Sequence, residues 1–282
     1  IYFETFSVPT ADTLFLLILS ILTLESAHSI RLLYQHFLSG ITEKSLNVFY
    51  YACSYAKVDY SRFMNTTVRI ALKLIPDSLQ TQPVFLCVDD TMVSKFGTKF
   101  ENVSKLFDHA VHNGSNYLNG HCFVSVMLCV PVWNRDKVSY LSVPLGYRMW
   151  QEKAPLNQTG SDRMKYIPLL LYSLRWNIET SHYEQKTFWS FCNYMVRSCK
   201  GIEMLVNLIN ISYCAMKILP YQNEHFSEYR TKSVQEFRFE LSQGIRSQIF
   251  FATFVKNIET HIKSNAMTRA LKQLVFQQVY HL

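Results

Sequence analysis

Between Pro83 and Val143 the chain reads as strands, and on either side it reads as helices. Val84–Val88 is wholly apolar and ends in Asp89-Asp90, the pattern of a buried central strand with two carboxylates at its C-terminal end. Residues 91–120, rich in Gly, Asn, Lys and His, read as a loop. His121–Trp133 reads as a long strand, Asn134-Arg-Asp136 as a turn, and Lys137–Val143 as the returning hairpin strand, ended by Pro144-Leu-Gly146. The expectation is a three-stranded antiparallel sheet.

The flanks set the class as α+β. Thr10 or Asp12 caps a first helix whose apolar face is Leu14, Leu17, Ile18, Ile21 and Leu22. A second stretch, Glu25–Leu38, ends at Ser39-Gly40. Two more follow at 42–56 and 59–75, closed by Pro76. The segments 166–199, 202–218, 236–263 and 266–280 also read as helices, with Pro220 after the second. This gives three regions: a helical, DNA-binding candidate at 1–82, a core at 83–199 and long C-terminal helices at 200–282.

Composition removes several classes. The chain has 282 residues, 49% hydrophobic and 17% charged, which excludes a disordered protein. The longest apolar run, Leu14–Leu24, is too short to span a bilayer and lacks the basic start of a signal peptide. No membrane association is expected. Seven cysteines without a C-x-x-C pair read as reduced core residues of a cytoplasmic protein, neither a disulfide framework nor a zinc site. The net charge of +7 is uneven. Residues 1–152 hold 12 basic and 12 acidic side chains, whereas residues 153–282 hold 16 and 9. Arg197, Lys200, Arg230, Lys232, Arg238 and Arg246 follow residue 196, and such an excess suits a polyanion.

Two constellations carry candidate chemistry. Carboxylates fixed at a strand end suit a hard cation such as Mg²⁺, so Asp89-Asp90 reads either as metal ligands or as a loop-starting cap. In the second, Tyr172, Arg175, Glu179 and Lys186 are spaced by 3, 4 and 7 residues. At about 100° per residue they share one narrow stripe of a helix. Ordinary surface pairing is the bland alternative, but Pro168–Leu171 and Phe188–Phe191 on its flanks are apolar. Lesser candidates are His109 and His112 beside Asp108, the loop lysines Lys95, Lys99 and Lys105, and Trp176 and Trp189, which read as core.

Together these features resemble the DDE transposases of bacterial insertion sequences, in the branch with a Tyr-(2)-Arg-(3)-Glu-(6)-Lys signature; Tyr172, Arg175, Glu179 and Lys186 match every spacing. Val88-Asp-Asp-Thr91 resembles that branch's first-acid motif. The resemblance implies a ribonuclease-H-like core, metal-dependent cleavage and strand transfer at transposon ends, and Mg²⁺ or Mn²⁺ as cofactor. It implies that Asp90 and Glu179 are catalytic metal ligands, with Asp89 as second choice for the first acid. It further implies that Tyr172, Arg175 and Lys186 hold the DNA end, in a homodimer or a mixed dimer with intact transposase.

One element of the pattern is missing. The family has a middle Asp on a further strand before the signature helix, but only Asp162 stands there, in the polar run Gly160-Ser-Asp-Arg163. The chain resembles a member with an internal deletion near Glu152–Leu156. Impaired chemistry and an exposed first strand are expected. A non-catalytic end-binding remnant, an inhibitor of the intact enzyme and a non-functional pseudogene product are the alternatives.

Overall fold

A computed structural model describes residues 6–56, 58–97, 99–112, 115–150 and 169–263. The chain divides into two compact units, Ile1–Arg238 and Phe239–Leu282. The N-terminal helices and the sheet thus belong to one unit.

That unit opens with α1 (Val8–Thr23), which buries Leu14, Leu17, Ile21 and Leu22. Next come α2 (Ile30–Leu33), a π turn (Tyr34–Leu38) and α3 (Ser39–Ile41), a continuous helical stretch. Ser29 caps it by accepting from the Leu32 N–H. Then follow α4 (Leu46–Ser54) and α5 (Tyr60–Leu72), the latter capped by Asp59.

The sheet has four antiparallel strands, one more than the sequence suggests: β1 (Phe85–Ser94), β2 (Ser104–His112), β3 (Ser115–Asn134) and β4 (Lys137–Met149). β3 is its axis. Gly120 faces Ser94 on one side and Ser104 on the other, so β1 and β2 occupy opposite edges of β3. β4 runs beyond β2 on the same edge, from Phe123↔Met149 to Asn134↔Lys137. A Cβ on Gly120 would lie 2.1 Å from the Val93 carbonyl oxygen, so only glycine fits there.

Three expectations change. Residues 91–120 are mostly strand, because β1 continues past Asp90 and β2 is new. β4 does not stop at Pro144; a register shift between Val126 and Met127 absorbs the proline and the strand runs on to Met149. β1 is an outer strand rather than the buried central one its apolar run suggests, in agreement with the exposed first strand expected beside the missing segment; Leu86 and Val88 are each 63% exposed.

The C-terminal helices are α6 (Leu169–Phe188), α7 (Cys199–Gln222) and α8 (Val234–Lys263). α7 contains Pro220 rather than ending before it. By length and composition α7 could cross a bilayer, yet 78% of its most apolar window is buried within the fold. One sheet face packs Leu128, Val130 and Val143 against Ile70 and Ala71 of α5 and Ile218 of α7. The opposite face packs Phe85, Cys87, Met127 and Cys129 against Ile178 of α6.

α7 also closes the outer edge of β4. Asn207 accepts from the Tyr147 N–H at 2.9 Å and donates to the Tyr147 carbonyl at 3.0 Å. Glu203 accepts from the Met149 N–H, while Asn210 and the Cys214 thiol donate to the Pro144 carbonyl. Spacings of four, three and four residues put these groups on one helical face. Truncating Asn207 leaves two buried backbone groups unpaired. Asn207→Ala is expected to lower stability by about 2–4 kcal/mol in chemical denaturation, against about 0.5 kcal/mol or less for the exposed Lys200→Ala.

Candidate functional site

β1 and α6 carry the residues singled out in the sequence. Asp89 and Asp90 lie inside β1, not at its end. Strand alternation sends them to opposite faces: Asp89 with Phe85 and Cys87 towards α6, Asp90 with Leu86 and Val88 away from it. The Asp90 carboxylate is exposed and accepts from the Cys122 thiol at 3.3 Å.

α6 buries Ile178, Ser181, His182 and Gln185, a stripe at helical spacing that faces the core. Glu179 and Lys186 lie about 100° round from it and are half-buried. The helix covers 169–188, so Tyr172 and Arg175 fall on the same stripe; their side chains lie outside the described residues. Lys186 reaches β1, where its Nζ donates to the Met92 carbonyl at 2.9 Å, two residues beyond Asp90. Lys186 therefore lies against the stretch of β1 that carries the two aspartates.

Three further residues join this place. His182 lies 2.7 Å from the Ser125 hydroxyl, which also donates to the Asp89 carbonyl. Burial first, then the Lys186 ammonium, push the His182 imidazole down to about 4, with Asp90 opposing them. Burial, with the hydrogen bond and charge of Asp90, pushes the Cys122 thiol up to about 12. At neutral pH the His182 imidazole is therefore neutral and the Cys122 thiol protonated. His182 had a signal in the sequence: it stands three residues after Glu179 and four before Lys186. Cys122 and Ser125 had none, because only the β1–β3 register brings them to the aspartates.

This set does not fit a two-ion centre. Among the described residues, no three His, Cys, Asp or Glu side chains gather as a metal site. The Cys122 thiol stays protonated on Asp90, and an ammonium lies close by. Asp162 and the stretch around Glu152–Leu156 lie outside the described residues.

The other candidates divide. Lys95 is neither a phosphate contact nor part of a solvated loop. It is buried, its Nζ donates to the Cys192 and Tyr194 carbonyls, and it sits 3.6 Å from the centre of the Tyr194 ring. Arg238 is also buried, donating to the carbonyls of Phe188, Ile21 and Leu24, so it leaves the basic surface. Arg197 and Lys200 are exposed. Trp189 is core as expected, but Trp176 is 66% exposed. His109 and His112 fall on β2 rather than in a loop, with their side chains outside the described residues.

Fold and site together define a mixed α+β protein whose central antiparallel sheet carries an acid-bearing strand beside a polar-striped helix. No family model, no curated protein and no solved structure matches the chain.

The His182 shift gives a test of this geometry. The unfolded imidazole takes up its proton near pH 6.5 and the folded one only near 4, so unfolding binds protons between those values and stability falls as the pH falls. The loss attributable to His182 is about 3 kcal/mol across the window. His182→Gln is expected to flatten the stability-against-pH curve between pH 6.5 and 4 relative to wild type, measured by urea unfolding.

Proposed function

We propose that this chain is a transposase-like DNA-binding protein with a ribonuclease-H-like core, binding transposon ends through the signature helix and the basic half that follows. The observation that carries this reading is the seating of α6 on the acid-bearing strand, with Lys186 bonded two residues from Asp90. Arg175 and Tyr172, on the same stripe, would grip the phosphates near the scissile bond, Arg through paired hydrogen bonds. The exposed Arg197 and Lys200 extend the cationic surface past the helix.

The family reaction is cleavage and strand transfer with Mg²⁺ or Mn²⁺ held by Asp and Glu carboxylates. On this reading Asp90 and Glu179, with Asp89 the second choice, would be the ligands left to this copy, and with Asp90 on the β1 face away from α6 and no middle acid the chemistry would be impaired. The lack of a three-donor cluster among the described residues favours the second reading, a non-catalytic end binder that inhibits intact transposase through mixed dimers. The seven free cysteines fit a reducing, cytoplasmic setting.

The test is binding to duplex DNA by fluorescence anisotropy at several salt concentrations. Affinity should fall steeply with salt, and Arg175→Ala should weaken binding on every sequence while lowering the salt slope by about 1. Absence of binding at about 50 mM salt would sink the proposal. Cleavage of end DNA with Mn²⁺ that disappears in Glu179→Ala would replace the binder with an active enzyme.

A further inference from the structure

A cavity lies away from β1. It has a volume of about 300 Å³, in the range of small-molecule sites, and lies where β4, α6, α7 and the 3₁₀ turn Glu224–Thr231 meet the first turn of α8. Three cations line it, Lys217, Arg230 and Lys232, against one carboxylate, Glu184.

The charges are not internally settled. One oxygen of Glu184 is already taken by the Tyr213 hydroxyl. Among the described residues, Lys217 Nζ makes no hydrogen bond and no close ion pair; it lies 5.4 Å from the centre of the Tyr213 ring and feels Glu184 only at longer range. Lys217 is half-buried at the cavity wall, and desolvation there pushes its proton affinity down, with Glu184 opposing. Arg230 is steadied at the rim by its Nε–H bond to the Pro220 carbonyl. Its carboxylate partner, Glu224, is 90% exposed and outside the cavity. Lys232 pairs with Glu228 and Glu236, neither of which lines the cavity. The Ser139 and Ser142 hydroxyls line the β4 side. A doubly charged anion would give Lys217 its missing acceptor and lie between the rim cations.

We propose that this cavity binds a small phosphate monoester, with the phosphate seated on Lys217 and flanked by Arg230 and Lys232. None of its residues is one of the four signature residues, and none belongs to the acid-bearing strand.

The experiment compares inorganic phosphate, adenosine 5′-monophosphate and unphosphorylated adenosine by calorimetry and thermal shift on the whole chain. Phosphate or the monophosphate should bind and raise Tm, while adenosine should not. The monophosphate binding tighter would identify an organic ester as the ligand, and equal affinities would identify the bare anion. Lys217→Met, which replaces a half-buried ammonium with an apolar chain of similar length, should fold about as stably and lose tenfold or more in affinity. Arg230→Ala, at the exposed rim, serves as a second variant and should lose several-fold. Lys73→Met, at the exposed C-cap of α5, should bind as wild type does. No binding of either phosphate species at about 10 mM, or unchanged binding in both Lys217→Met and Arg230→Ala, overturns the proposal.

Discussion

Backbone groups on an outer strand need partners, and on β4 they find them in α7. Asn207, Asn210, Glu203 and Cys214 give that helix a polar line inside an otherwise apolar sequence. The line fixes the height and rotation of α7 along the sheet. Once α7 is fixed, Gln185 of α6 can bond Asn210, and Glu184 can accept from Tyr213. The position of the signature helix on β1 thus follows from how the far edge of the sheet is closed.

Buried cations do similar work elsewhere. Lys95 and Arg238 each turn a charged head towards carbonyl oxygens at helix ends and bends, and each lies over an aromatic ring, Tyr194 and Trp189 respectively. Such carbonyls would otherwise be stranded away from water. A lysine or arginine can supply several donors at one point, which explains why two residues of ordinary surface type lie inside. The basic excess of the second half is accordingly smaller at the surface than in the sequence.

The long-range pattern was legible. Helices at both ends, the β3–β4 hairpin with its turn at Asn134–Asp136, and a helix uniting Tyr172, Arg175, Glu179 and Lys186 all follow from period and spacing. What escaped depends on pairing. β2 is a polar strand held on β3, so it carries no apolar signal of its own. β1 looked central because Val84–Val88 is apolar throughout, yet hydrophobicity does not reveal how many neighbours a strand has. Cys122 and Ser125 meet the aspartates only through register. Lys95 and Arg238 betray nothing locally, because their partners are carbonyls far along the chain.

The register of β1 bears on how the protein is made. Phe85 pairs with Cys129 and Ser94 with Gly120, so the whole of β1 is synthesised before any of the segment it pairs with. At ordinary elongation rates that interval lasts a few seconds. Throughout it, Val84, Leu86 and Val88 stand bare on a nascent chain, a segment suited to capture by a chaperone.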